Sequence, residues 1–312
     1  MPIRRRLLAL AAVAVLVPLG YVAPAHAAPP SYVALGDSYS SGVGTRTYLD
    51  DGTNCQRSTY AFPMLIAAAR GYALTFRACS GAKVSDVTST QLGALSAGTS
   101  YVTISVGGND AGFTSVLTTC AKPAWLSDCG GAIAKARSYI TNTLPVSLST
   151  LYAAIRNKAA NATVVVVGYP RLFNGEDCNA LTWFSPSEET SLNSTADLIN
   201  SKLAAAASAK GFAFANPTSA FIGHAVCGDP EWLNGLSNPI SESYHPNRIG
   251  HASGYTPLVS PMLTGSSVSV TPAVLTKARA QAPALTAQQS QYAAADRTIE
   301  PQPFRLSYRP RR

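Results

Sequence analysis

The chain has 312 residues, 46% of them hydrophobic and 13% charged, a balance that suits one globular domain with a large core and does not demand a second. Its net charge of +8 is concentrated at the ends: residues 1–27 carry +3, residues 265–312 carry +5, and the stretch between them is neutral. A neutral centre excludes the broad basic face by which a domain binds nucleic acid, so no nucleic-acid partner is expected.

In chain order, the first segment is an address. Arg4, Arg5 and Arg6 precede an apolar run over residues 7–19, and Ala25, His26 and Ala27 form a small-x-small cleavage pattern. This predicts a secretory signal peptide over 1–27 and a secreted, extracellular mature protein that begins near Ala28. The apolar run is too short for a settled membrane anchor. Residues 32–35 predict a short buried strand that ends at Gly36-Asp37-Ser38. Residues 58–70 predict a helix with Ser58 as N-cap and Gly71 as stop. Residues 101–106 predict a second strand, and residues 132–158 have helical periodicity interrupted at Pro145. Residues 163–167 predict a third, fully apolar strand. Ser185-Pro186-Ser187-Glu188 then opens a helix with a capping box, closed by Gly211. Residues 212–215 predict a fourth strand and residues 248–263 a last helix. Continuously apolar strands alternating with helices predict an α/β fold, a parallel sheet with helices on both faces, over residues 28–264. Beyond Gly265 the chain is rich in Ala, Gln, Ser and Thr and then in Pro, Arg and aromatic residues. Residues 265–312 are therefore expected to form a disordered basic tail, with room for a few helical turns between 272 and 295.

Ligands of such sheets bind beyond the carboxyl ends of the strands, where both Asp37-Ser38 and Asn109-Asp110 fall. A serine flanked by Gly36 and Gly42 can present its Oγ and its N–H to the same space, although one such triplet is as often a turn. It does not fit Gly-x-Ser-x-Gly, so the usual nucleophile elbow is not the template. A serine nucleophile needs a base, and after signal removal only His224, His245 and His251 remain. His245 lies in a loop, Ser243-Tyr244-His245-Pro246-Asn247, that can aim an imidazole at the sheet edge. His251 falls within the following helix, where packing or capping is expected, and His224 lies near Cys227 in a structural loop. Asn109 in Gly107-Gly108-Asn109-Asp110 and the N–H of Gly81 in Cys79-Ser80-Gly81-Ala82 can donate to an oxyanion. Six cysteines in an exported chain suggest disulfides, and the sequence alone leaves their pairing open, although Cys120 and Cys129 are near enough to close one small loop. There is no Cys-x-x-Cys pair and no His-Glu-x-x-His helix, so no zinc site and no cofactor are expected.

Taken in order, Gly-Asp-Ser at 36–38, Ser-Gly-Ala at 80–82, Gly-Gly-Asn-Asp at 107–110 and His-Pro-Asn at 245–247 resemble the SGNH (GDSL-type) hydrolase family over residues 31–263. Within it the chain looks most similar to secreted bacterial lipases and esterases. The resemblance implies a flavodoxin-like three-layer sandwich around a parallel five-stranded sheet. It implies Ser38 as nucleophile and His245 as general base, then general acid. The Ser38 N–H, the Gly81 N–H and the Asn109 side-chain amide would form the oxyanion hole. It also implies sequential disulfides, Cys55–Cys79, Cys120–Cys129 and Cys178–Cys227. The family's acid three residues before the histidine is Glu242 here rather than Asp. Members that dispense with the acid use the carbonyl two residues before the histidine, here Ser243. The Ser243 carbonyl is the expected orienter, with Glu242 a solvated loop carboxylate. The expected protein is a monomeric carboxylic-ester hydrolase that cleaves fatty-acyl esters through a Ser38 acyl-enzyme and touches lipid surfaces transiently. A carbohydrate acetylesterase of the same family is the alternative. A non-catalytic secreted binding protein is the alternative from another class.

Overall fold

At the centre of the computed structural model, which describes residues 27–302, 304 and 305, lies one parallel sheet. All of the expected signal peptide but Ala27 lies outside the described residues. The strands are β1 (Ser31–Gly36), β2 (Ala73–Phe76), β3 (Tyr101–Ser105), β4 (Thr163–Val167) and β5 (Ala213–Ala215), in the order β2-β1-β3-β4-β5. Tyr32 lies beside Leu74 on one side and Tyr101 on the other, and Val102 lies beside Val164. Val33, Leu35, Ile104, Val165 and Val166 are buried, as a strand covered on both faces requires. The edge strand β2 has no counterpart in the expectations from sequence. Its four residues are only half buried and carry too little pattern to mark a strand.

The helices are α1 (Ser38–Ser41), α2 (Phe62–Arg70), α3 (Val84–Asp86), α4 (Phe113–Cys120), α5 (Cys129–Asn142), α6 (Leu144–Lys158), α7 (Pro186–Ser208), α8 (Thr256–Thr264), α9 (Pro272–Ala280), α10 (Ala282–Gln289) and α11 (Ala293–Asp296). Helices α2 and α8 pack together on one side of the sheet, and α5, α6 and α7 pack against one another. Pro145 separates α5 from α6 because it fits only a first turn. Ser185 and Glu188 form the capping box of α7. The second helix starts four residues later than expected. Ser58 Oγ accepts from Tyr60 N–H at 3.0 Å and from the Thr45 hydroxyl at 2.7 Å, and Pro63 sets the start of α2 at Phe62. The expected last helix begins as a π-helical turn over Gly250–Tyr255 before α8.

The expected disordered tail is corrected by α9, α10 and α11. Ala278, Leu285, Ala293 and Ile299 are buried against the domain. Asp296 accepts from Arg57 Nη2 at 2.5 Å and from Arg77 Nη2 at 2.7 Å, and Arg57 also donates to Asp51 at 2.6 Å. Both guanidinium groups are fully buried. They require buried anionic partners, and the second of these comes from a segment more than 200 residues away. A local reading of hydrophobic periodicity cannot register that demand. The cysteines form Cys55–Cys79, Cys120–Cys129 and Cys178–Cys227.

Candidate active site

The carboxyl edge of the sheet collects the chemistry. Ser38 follows β1, Gly81 follows β2 and Asn109 follows β3, around the crevice where the strand order reverses between β1 and β3. The backbones of β1 and β3 converge there. A Cβ at Gly36 would lie 2.2 Å from the Ser105 carbonyl oxygen, and φ is +120°. Only glycine meets both conditions, so the chain can turn into Asp37 and Ser38 immediately after the strand. Asp37 caps α1 by accepting from Tyr39 N–H at 3.0 Å. That fixes Ser38 as the first helical residue.

Ser38 Oγ lies 2.9 Å from His245 Nε2. His245 Nδ1 lies 2.9 Å from the Ser243 carbonyl. A carbonyl only accepts, so the proton resides on Nδ1 and Nε2 is left to accept from Ser38. The loop that holds the imidazole is itself paired: Tyr244 N–H donates to Asn234 O at 2.8 Å, and Asn234 N–H donates to His245 O at 2.9 Å. Tyr39 OH donates to the Tyr244 carbonyl at 2.8 Å, which ties the loop to α1. Burial pushes the imidazole down to about 4, opposed by the Ser243 carbonyl. His245 is therefore neutral, and able to take a proton, throughout the neutral range.

Glu242 is buried rather than solvated, contrary to expectation. Its Oε1 accepts from Tyr48 OH at 2.6 Å, and its Oε2 lies 3.4 Å from Arg46 Nε. Its charge faces the 46–48 loop, and the nitrogen of His245 that it would orient is taken by Ser243. His251 accepts from Phe62 N–H through Nδ1 at 3.3 Å and stacks on the Phe62 ring. His224 bonds to the Pro230 carbonyl through Nδ1 at 2.8 Å and stacks on Trp232.

Asn109 Nδ2 donates to the Ala82 carbonyl at 3.1 Å. That contact uses one amide hydrogen, links the 81–82 turn to the end of β3 and leaves the second hydrogen available. Gly81 has φ +83°. A side chain there would also meet Pro301, whose Cα would lie 2.6 Å from its Cβ. The C-terminal segment thus packs against the Gly81 Cα.

Two residues of this edge escape the sequence reading. Tyr169 OH donates to Asp37 Oδ2 at 2.6 Å, and Gly108 N–H donates to the same hydroxyl at 3.2 Å. Ser105 Oγ donates to Asp37 Oδ1 at 2.7 Å. Burial pushes the Asp37 carboxyl up to about 6, while the hydroxyls of Tyr169 and Ser105 and the Tyr39 N–H draw it back. Asp37 therefore joins the turns after β1, β3 and β4. The signal for Tyr169 was its position directly after Gly168, at the end of an apolar strand. Among the described residues, no three His, Cys, Asp or Glu side chains converge to hold a metal ion.

The Tyr244 side chain, next in the chain to His245, belongs to a buried aromatic cluster. The Tyr244 ring lies 6.0 Å from Phe173 and 5.8 Å from Phe184 between centroids. Beyond it, Leu181 and Trp183 are exposed, and Trp183 N–H donates to the Ala121 carbonyl near the exposed Trp125 and Leu126.

Comparison with known proteins gives the family. A model of the GDSL-like Lipase/Acylhydrolase family matches residues 34–252. Lipase 1 of Streptomyces coelicolor is 46% identical over 245 residues, which cover 76% of this chain and 90% of that protein. The crystal structure of an extracellular lipase from Streptomyces rimosus is 41% identical, with a TM-score of 0.69, and is matched over its whole length by 76% of this chain. The crystal structure of phospholipase A1 from Streptomyces albidoflavus is 40% identical, with a TM-score of 0.70, over 77% of this chain and all of that one.

Proposed function

The chain belongs to the GDSL-like Lipase/Acylhydrolase family and is a carboxylic-ester hydrolase, and from that premise we propose that it is an exported lipase or phospholipase that cleaves fatty-acyl esters through an acyl-enzyme on Ser38. The observation that carries the mechanism is the 2.9 Å contact between Ser38 Oγ and His245 Nε2, with Nδ1 held on the Ser243 carbonyl. Oγ attacks the ester carbonyl carbon as its proton passes to Nε2. The negative charge that develops on the carbonyl oxygen is met by the Ser38 N–H, the Gly81 N–H and the free hydrogen of the Asn109 amide. The intermediate collapses and the alcohol leaves with the proton from Nε2. A water then attacks the acyl carbon and gives its proton to Nε2. The acid is released, and the proton returns to Ser38. Fixed backbone and amide donors need no reorganisation when the charge appears, which makes this kind of stabilisation effective.

An apolar pocket lined by Gly108, Ala111, Phe113, Val116, Tyr169 and Leu172, beside Asn109, supports an apolar acyl group, as do the names of the Streptomyces relatives. Export is supported by the signal pattern at 1–27, by three disulfides and by the extracellular lipase among the relatives. Ser38→Ala deletes only the attacking atom. It is expected to abolish hydrolysis of nitrophenyl esters and labelling by a fluorophosphonate, without change in melting temperature. Retention of more than a few per cent of the activity would exclude Ser38. A panel of acetyl, butyryl and long-acyl nitrophenyl esters, triglyceride and phosphatidylcholine should show preference for the longer acyl chains. Preference for the acetyl ester would favour the acetylesterase alternative.

A further inference from the structure

We propose that Glu300, Pro301, Gln302, Phe304 and Arg305 belong to an intramolecular inhibitor, seated across the Gly81 turn and the Tyr244 ring beside His245, so that the ester must displace the chain's own C-terminal segment to reach Ser38. The proposal rests on the assignment of Ser38 and His245 above. Four observations carry it. At one end, the segment lies against the Gly81 turn: a Cβ there would meet Pro301 Cα at 2.6 Å and the Glu300 carbonyl oxygen at 2.9 Å. At the other end, Phe304 is buried to 3% exposure. Its ring is 5.1 Å from that of Tyr244, in an edge-on contact, beside the imidazole-bearing residue and within the Phe173–Phe184 cluster. Ser38, whose Oγ contacts His245 next to the second of these anchors, is itself only 7% exposed.

The third observation is how the segment is delivered. Asp296 is locked between Arg57 and Arg77, Arg297 Nε donates to the Gly52 carbonyl at 3.0 Å, and Ile299 is buried. The residues that follow are thereby tethered at the mouth of the site, where a linker only a few residues long holds them at high effective concentration. The fourth is how weakly the segment itself is bonded. Among the described residues, its polar contact is a single long one, Arg305 N–H to Thr118 Oγ1 at 3.5 Å. It is held by the seats of Pro301 and Phe304, which an apolar acyl chain can take over. The anchor is firm and the occupant is displaceable, as competition requires. The family model ends at residue 252, so the strap lies beyond the residues it matches.

The test compares the mature full chain with a form ending at Ile299, which keeps Asp296 and Ile299, and with Phe304→Asp in the full chain. On a short soluble nitrophenyl ester, kcat/KM is expected to rise about tenfold or more in both, since a site open less than about a tenth of the time reports that fraction. Labelling by a fluorophosphonate should accelerate in parallel. A synthetic peptide of residues 298–305 should raise KM of the shortened form without changing kcat, and its Phe304→Ala version should not. If both variants keep the melting temperature and hydrolyse at the full-length rate, or more slowly, the segment is a structural cover and the proposal is overturned. Peptide binding to the shortened form, followed by tryptophan fluorescence, separates the two levels. Binding without any hydrolysis or labelling refutes the Ser38 mechanism, whereas hydrolysis without peptide binding refutes the strap.

Discussion

His245 has its proton fixed on Nδ1 by a carbonyl rather than by a carboxylate. A carbonyl sets the tautomer as well as an acid does, but it stabilises the imidazolium that forms only through its dipole. Glu242, one methylene longer than the acid usual at its position, turns the other way and joins Tyr48 and Arg46. Glu242→Gln keeps an oxygen for the Tyr48 hydroxyl and removes only the charge. Turnover on a short nitrophenyl ester should fall less than about tenfold, because a peripheral charge facing an exposed partner contributes roughly 1 kcal/mol or less. A triad acid would cost about 10⁴, and a measured loss of a thousandfold would return Glu242 to the catalytic array. The acid limb of the pH profile belongs to the same residue. Burial lowers the imidazole to about 4, and only the neutral ring can take the proton from Ser38. Activity should therefore persist below pH 6.5 and fall only as the pH drops through the lowered value. A kcat/KM profile with its acid midpoint at or above 6.5 would contradict this. For the oxyanion, Asn109→Ala should lower kcat by about 10²–10³ with little change in melting temperature.

The elements differ in how openly the sequence announces them. The three internal strands and α7 follow from local rules: apolar runs bounded by glycines, and a serine, a proline and a glutamate in capping register. Ser185→Ala should cost about 1 kcal/mol by removing that cap, read as a shift in the urea midpoint. The C-terminal helices obey no such rule. Their composition is that of a linker, and α10 owes its place to long-range partners, including Gln288 Nε2 on the Leu74 carbonyl at 3.3 Å and Gln289 Oε1 accepting from Arg77 Nη1 at 3.1 Å. The decisive residue is Asp296, which looks like any surface acid in the sequence. Asp296→Asn leaves Arg57 and Arg77 with Asp51 as the one remaining buried carboxylate of the cluster. Breaking a buried pair in this way typically costs about 3–5 kcal/mol. Its melting temperature should drop by many degrees, while Arg171→Gln, at the exposed pair with Asp197, should move it little. Equal effects from the two substitutions would mean that the extension is not built into the core. The site follows the same division. Ser38, Gly81, Asn109 and His245 were legible because each lies in a short block of unusual residues. Tyr169 and Ser105 were not, because each acts through a fold-dependent contact with Asp37.

At the scale of the molecule, stability and acidity are coupled by groups on both sides of the sheet edge. His245 and His251 are held neutral by burial, at about 4 and about 3 against an ordinary 6.5. The unfolded chain therefore binds more protons than the folded one as the pH falls below 6.5. Each histidine withdraws stability over that window, and the loss is complete once the pH is below the folded value. Asp37 acts in the opposite sense. Its carboxyl is raised from 3.8 to about 6, so the folded chain binds the extra proton between those limits, and that contribution is lost as the pH rises through 6. Glu189, raised by burial from 4.5 to about 7, acts in the same sense as Asp37. The histidine losses begin at 6.5 and continue below 4, while the Asp37 compensation has run its course by 3.8. His251 offers the clean test, since it takes no part in the Ser38–His245 contact and is fully buried. His251→Gln can still accept from Phe62 N–H, yet it has nothing to protonate. Its melting temperature should rise relative to that of the parent chain as the pH drops from 6.5 to 4, at whatever level it starts. Parallel curves for the two proteins would show that the imidazole of His251 titrates alike in the folded and unfolded chains, and that its burial exerts no hold on its proton.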